Sequence, residues 1–257
     1  METRDGATAV RGESERRSGG QPRAAGDVGR AASDRRTVTT ARALSGRRRP
    51  ADVEEPVHPL IRERWSPLAF RDRPVPEEDL RALLEAARWA PSSYNEQPWS
   101  FLVARRSDRE GFRRMLSCLA EGNRTWARSA PVLMVTLTRT RFERNGKENR
   151  HARHDVGLAA AQLTLEATAR GLAVHQMAGF DAGRVRELYG VPEGVEPVTA
   201  LALGLPGDPA DLPEDLRERA SGPRRRKETT EFVFAGGWGE SPGWLEETGS
   251  DSAAGTV

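Results

Sequence analysis

Three short, widely separated segments of this chain hold side chains suited to gripping an anion or facing a ligand. The first is Arg64-Trp65-Ser66-Pro67-Leu68-Ala69-Phe70. An arginine two residues before a serine is a common way to hold a phosphate, because the guanidinium offers a fork of donors and the hydroxyl one more. The same pair also serves as a solvated arginine and a helix cap. The second is Pro91-Ser92-Ser93-Tyr94-Asn95-Glu96-Gln97-Pro98-Trp99. It leaves a helix and enters a strand, so its backbone donors are free to face a ligand; an ordinary ordered connection has the same composition. The third, Arg224-Arg225-Arg226-Lys227 followed by Glu231-Phe232-Val233-Phe234, is a basic run of the kind most often solvated.

The elements that must position these segments are legible from periodicity. Leu60 to Phe70 reads as a short helix and a turn. Pro76 opens the next helix, with Glu77, Glu78 and Asp79 in its first turn, where negative charge suits the helix dipole. Leu80, Leu83, Leu84 and Ala87 fall on one face, and Pro91 stops it. Phe101 to Val103 is a buried strand, residues 108 to 120 a second amphipathic helix, and Pro131 to Leu137 an almost continuous apolar strand. The longest helix spans about His151 to Arg170, with apolar residues nearly all round, and so is expected to be buried; Gly171 ends it. Strands at Ala173 to Phe180 and Val198 to Leu205 enclose a short helix at 182 to 189. Glu231 to Phe234 is a further candidate strand.

Charge is distributed unevenly. The first fifty residues hold 12 Arg against 6 Asp or Glu, net +6, leaving 28 basic and 32 acidic residues, net −4, in the remainder. The basic pI of about 9.1 therefore belongs to the leading segment. With almost no large apolar side chains, residues 1–55 cannot bury enough surface to offset ordering and are expected to be disordered. The expected folded domain is 56–240, and 241–257 is expected to be a flexible tail. The leading segment lacks aromatics for base stacking, so nucleic acid is not the expected partner. The chain has one cysteine, Cys118, which excludes an internal disulfide and a cysteine-based metal cluster and suits a reducing compartment. No apolar run is long enough for a membrane span and no secretory-type core stands at the N-terminus, so a soluble cytoplasmic protein is expected.

Together, and in this order, the three segments resemble the nitroreductase family of flavoproteins. The Arg-x-Ser-x-x-x-Phe opening, the Pro-Ser-Ser-x-Asn-x-Gln-Pro-Trp stretch and the late Arg-x-Arg carry the resemblance. A further match is Gly171-Leu172-Ala173 leading to Met177-Ala178-Gly179-Phe180-Asp181. The likeness spans about residues 58 to 239. It implies an α+β fold, a three-layer sandwich with a central, mostly antiparallel sheet flanked by helices, assembled as a homodimer with FMN at the two-fold interface.

The resemblance also implies roles. Arg64, Arg224 and Arg226 would hold the FMN phosphate, with Ser66 adding a hydroxyl donor. Pro91, Ser92, Ser93 and Asn95 would line the flavin from the other subunit. Ala178 and Gly179 would lie against the ring, the Gly179 N–H donating to the nitrogen that receives hydride. Asn123 and Arg124 fall where family members contact the pyrimidine end. Position 68 is usually basic in the family, and Leu68 would leave the cofactor short of one charge. Lys227 is often followed by proline, and here Glu228 follows.

The function implied is hydride transfer from NADH or NADPH, through FMN, to a small electron-poor acceptor such as a nitroaromatic or a quinone, by a ping-pong scheme with no side-chain nucleophile. The alternative is a non-catalytic flavin-binding or flavin-storage protein of the same fold, motivated by Leu68. Acceptor choice would come from residues 119 to 127 and 140 to 152, where Trp126, Phe142 and His151 are the groups best able to stack or donate; packing or solvation is the competing reading. His151, His154 and Asp155 lack the further ligands a metal site needs. Cys118 reads as a small buried residue. Ala159 to Ala161 marks either a dimer contact or a tight core.

Overall fold

A computed structural model describes residues 48–246 of the chain. Of the expected leading segment, residues 1–47 lie outside the described residues, as does the tail from residue 247. Among the described residues the elements in order are α1 (Pro59–Glu63), α2 (Glu77–Arg88), β1 (Trp99–Arg105), α3 (Arg109–Ser117), α4 (Glu121–Ala127), β2 (Val132–Arg139), α5 (Ala152–Ala169), β3 (Ala173–Met177), α6 (Ala182–Tyr189), β4 (Val195–Gly204), α7 (Glu214–Ser221) and α8 (Gly243–Glu246). The four strands form one antiparallel sheet in the order β1-β2-β4-β3. This is the α+β sandwich expected from the sequence.

The apolar continuity of β2 and β4 has a direct structural meaning. Successive side chains of a strand point to opposite faces, so a run apolar at every position is covered on both. Leu133, Val135, Leu137, Ala200 and Ala202 face a cluster containing Phe112, Met115, Trp126, Val185 and Leu216 from α3, α4, α6 and α7. Val132, Met134, Leu201 and Leu203 face the other way, onto Leu80, Leu83 and Ala87 of α2 and Ala159, Leu163 and Ala167 of α5. Each fully buried Leu or Val contributes roughly 1.5–3 kcal/mol of transfer free energy. These two layers hold the sheet from which the site-bearing loops project.

Local chemistry sets the boundaries. Asp108 caps α3 by accepting from the Gly111 N–H at 3.0 Å, and Asp181 caps α6 through the Arg184 N–H at 2.9 Å. Gly171, at φ 75°, takes the left-handed turn that leads from α5 into β3.

Several expectations are corrected. The helix expected over 108–120 ends at Ser117, and α4 follows as a separate helix. The strand expected over 173–180 stops at Met177, so Ala178 and Gly179 lie beyond it. β4 starts three residues early, at Val195. Glu231 to Phe234 is no strand: a single 3₁₀ turn, Thr229–Glu231, is held by reciprocal bonds between the Glu228 and Glu231 side chains and each other's backbone. Nor is α5 buried all round. Arg153, His154, Gly157 and Ala161 form an exposed stripe, whereas Ala159 and Ala160 sit in the core.

Candidate functional site

The structure gathers the arginines at the two ends of the domain. The Arg224 guanidinium donates to the Arg64 carbonyl at 2.8 Å, to the Arg62 carbonyl at 3.3 Å, and to the Arg49 carbonyl. The Arg64 guanidinium donates to Ser66 Oγ at 3.3 Å. Arg226 is close enough to Arg64 for their charges to repel. Burial, then the neighbouring Arg226, pulls the Arg64 pKa below its ordinary value. Arg224 is lowered by burial and then by Arg64, Arg226 and Arg49. Among the described residues, no carboxylate pairs with Arg49, Arg64, Arg224 or Arg226. Crowded guanidinia without a counter-charge are the electrostatic signature of an anion site. Arg224 spends much of its donor fork on backbone carbonyls, so it holds the Arg64 segment as well as adding charge.

His175, on β3, lies beside this cluster. Its Nδ1 is 2.8 Å from the Pro67 carbonyl, and its ring centroid is 4.5 Å from that of Trp126. Burial depresses the imidazole pKa. The Pro67 hydrogen bond opposes this, and the charges of Arg219 and Arg64 add to the depression. Sequence reasoning gave His175 no role; its place next to Pro67 depends on the pairing of distant segments. Leu68 is buried in the core cluster that also holds Phe70 and Trp126. Trp126, expected as a group that could stack on an acceptor, is 1% exposed and sealed between Phe70 and His175.

Beyond β3, the chain turns at Ala178 and Gly179. The Gly179 carbonyl accepts from the Ala120 N–H at 3.0 Å and from Asn123 Nδ2 at 2.9 Å. Among the described residues its own N–H meets no acceptor. A Cβ built at 179 would lie 2.6 Å from Asn123 Nδ2, so the amide can hold this position only while residue 179 is glycine. Asn123 thus fixes the Gly179 peptide. Arg124, the other residue assigned to this region, pairs with Glu121.

Pro91 to Gln97 forms a separate cluster. Tyr94, Asn95 and Gln97 have φ of 54°, 57° and 52°, a left-handed conformation uncommon for non-glycine residues and strained for a bulky one. Ser92 Oγ accepts from the Gln97 N–H at 3.0 Å, and the buried Asp155 on α5 accepts from the Ser93 N–H at 3.2 Å. The exposed Tyr94 packs edge-on against Phe142, and Arg144 stacks 4.2 Å from the Tyr94 ring. Among the described residues, no hydrogen bond or ring contact joins this segment to Arg64 or Gly179 within one chain. His151 is exposed at the cap of α5. No cluster of His, Cys, Asp and Glu among the described residues could hold a metal, and no described helix is long and apolar enough to cross a membrane.

The pattern that defines the Nitroreductase family matches residues 61–205 of this chain, so the chain belongs to that family. A crystal structure described as an oxidoreductase containing FMN is 35% identical, covers 73% of this chain and 95% of its own, and superposes with a TM-score of 0.69. An uncharacterized 15.4 kDa protein of Mycolicibacterium smegmatis is 39% identical over 149 residues, 54% of this chain and 97% of that protein. A relative from Archaeoglobus fulgidus, 30% identical over 158 residues (60% of this chain and 88% of that one), carries the provisional name NADH dehydrogenase/NAD(P)H nitroreductase.

Proposed function

We propose that this chain is an FMN-dependent oxidoreductase that takes hydride from NADH or NADPH and passes it to a small electron-poor acceptor, a nitroaromatic, a quinone or a similar molecule. The observation that carries the reading is the cluster of Arg64, Arg224 and Arg226 beside Ser66, without a carboxylate partner among the described residues. A flavin phosphate brings about −1.5 to −2 charge and three acceptor oxygens, which match this donor set. The Gly179 peptide is a second fit. Among the described residues its N–H meets no acceptor, and Asn123 holds its carbonyl at 2.9 Å. When bound, FMN supplies the hydride-accepting ring.

The chain's own residues supply position and electrostatics. Arg64, Ser66 and Arg226 bind the phosphate, and Arg224 both adds charge and ties down the Arg64 backbone. The Gly179 N–H and the Ala178 turn would lie against the ring. Pro91, Ser92, Ser93 and Asn95, anchored by Asp155, are separate from those groups within one chain, which supports a site completed by a second copy across a two-fold interface. Arg144 and Tyr94 sit on that segment's exposed side, where an acceptor or nicotinamide would approach.

Flavin storage without turnover was motivated by Leu68. That side chain is buried in the core cluster with Phe70 and Trp126. One experiment separates the readings: the visible spectrum of the purified full chain with FMN, before and after anaerobic NADH or NADPH. Turnover predicts bleaching and recovery on adding an acceptor. A yellow protein bleached by neither nucleotide selects storage, and a chain that takes up no FMN refutes both.

A further inference from the structure

Four residues ahead of the region matched by the family bridge the two ends of the arginine cluster. The Arg49 guanidinium donates to the carbonyls of Ala220 and Gly222 and, at 3.4 Å, of Ser221, the C-terminal end of α7. A cation on the last carbonyls of a helix is favoured by both hydrogen bonding and the helix dipole. The same guanidinium lies 5.5 Å from the centroid of the Trp65 ring, next to Arg64, and the Arg49 carbonyl accepts from Arg224. Two residues on, the Ala51 N–H donates to the Arg62 carbonyl at 2.7 Å and Arg62 Nε returns a bond to the Ala51 carbonyl at 3.2 Å. Arg48 pairs with Glu63 at 3.3 Å.

Arg64 and Arg224 are 160 residues apart in sequence, and residues 223–228 have no regular secondary structure to place them. Their position is set by tertiary contacts alone, against the mutual repulsion of the guanidinia. Arg49 makes contacts on both sides of that gap: to α7 immediately before the basic run, and to Trp65 and Arg224 beside the phosphate-type serine. Three carbonyls engage both of its terminal nitrogens, so its fork is committed to the end of α7.

We propose that Arg49 is a positioning residue of the anion site: residues 48–51 strap α1 to the end of α7, and thereby hold Arg64, Arg224 and Arg226 at the spacing a phosphate needs. This rests on the reading of the cluster as the FMN phosphate site. The N-terminal extension therefore ends inside the functional unit, not before it.

The test uses the full chain and its Arg49→Ala and Arg49→Lys variants, titrated with FMN and with riboflavin, which has the same ring and no phosphate; thermal midpoints are measured alongside. The strap predicts that Arg49→Ala weakens FMN about tenfold, the equivalent of one mispositioned charge-assisted bond, while riboflavin affinity changes less than twofold. Lysine keeps the charge but cannot reach three carbonyls with a planar fork, so Arg49→Lys should recover only a small part of the loss. Full recovery by Arg49→Lys would mean that Arg49 acts by charge alone and would overturn positioning. Equal weakening of both flavins would overturn it as well, since the strap would then serve the fold at large. Binding of riboflavin and FMN with equal affinity by the unaltered chain would instead sink the phosphate-site reading, and the strap's role with it.

Discussion

The contact between Asn123 and Gly179 gives a prediction whose size follows from geometry. In Gly179→Ala, the new Cβ would stand 2.6 Å from Asn123 Nδ2, about 0.8 Å inside the ordinary contact range that begins at 3.4 Å. Backbone strain adds nothing, because Gly179 is not among the residues with positive φ. The amide must therefore retreat, and its 2.9 Å bond to the Gly179 carbonyl breaks. That carbonyl keeps its second donor, the Ala120 N–H at 3.0 Å, so it is not left bare. The cost is then that of one net hydrogen bond, about 1 kcal/mol. For a domain of this size that corresponds to a thermal midpoint lower by roughly 2–4 °C. Asn123→Ala should cost a similar amount by removing the same bond. In the Asn123→Ala background the nearest remaining atom to the new Cβ is Ala120 Cβ, at an ordinary 3.5 Å, and the Gly179 substitution should cost almost nothing. Guanidinium unfolding of the four proteins of this cycle should show a coupling of about 1 kcal/mol at unchanged m-value. Additive effects would refute the reasoning, and a loss above about 3 kcal/mol in the single alanine variant would show that the backbone, not the amide, yields.

Three further outcomes follow from the same structure. Asp155→Ala strips the Ser93 N–H of its acceptor and should lower stability by about 1–3 kcal/mol, with Asp155→Asn, which keeps an acceptor oxygen, restoring most of it; chemical unfolding measures both. Leu68→Arg, which puts back the family's usual charge, should destabilise by about 3 kcal/mol or more and leave FMN affinity no tighter, because an unpaired cation would be buried in the core; unfolding and FMN titration together test this. The folded-state pKa of His175 is depressed, so its contribution to stability is complete above the unfolded value of 6.5 and is lost as pH falls through the lower folded value; the slope of stability against pH below 6.5 should be shallower in His175→Gln.

How much of this was legible in the sequence depended on whether a signal was local. The acidic first turn and apolar stripe of α2, the doubly covered strand β2 and the Gly171 turn are each written within a few residues, and the structure has them where the sequence puts them. The strand expected at 231–234 fails because a run of three apolar residues is too short to decide between strand and surface segment, and the reciprocal Glu228–Glu231 cap competes locally with extension. Trp126 reads as a substrate group for its ability to stack; α4 turns it inward onto Phe70 and His175. In the sequence Asp155 stands beside His154, and its role emerges only once α5 is laid against the Pro91–Gln97 segment. Arg49 was beyond reach, since twelve arginines share its composition-poor surroundings and nothing local sets it apart.

The same contrast bears on function. Where the chain builds its layers, propensity, pattern and packing agree. They disagree at two places: Tyr94 and Gln97 adopt a backbone that costs of order 1–3 kcal/mol each, and four arginines share a corner without a balancing carboxylate among the described residues. Both places carry motif residues, and both are braced by long-range contacts, Asp155 and Phe142 at one, Arg49 and the α7 carbonyls at the other. Strain and repulsion persist in a marginally stable protein only where the surroundings over-determine them. A bound dianion would remove most of the repulsion at the arginine corner, so ligand binding and stability should be coupled there, with FMN raising the unfolding midpoint more than riboflavin does.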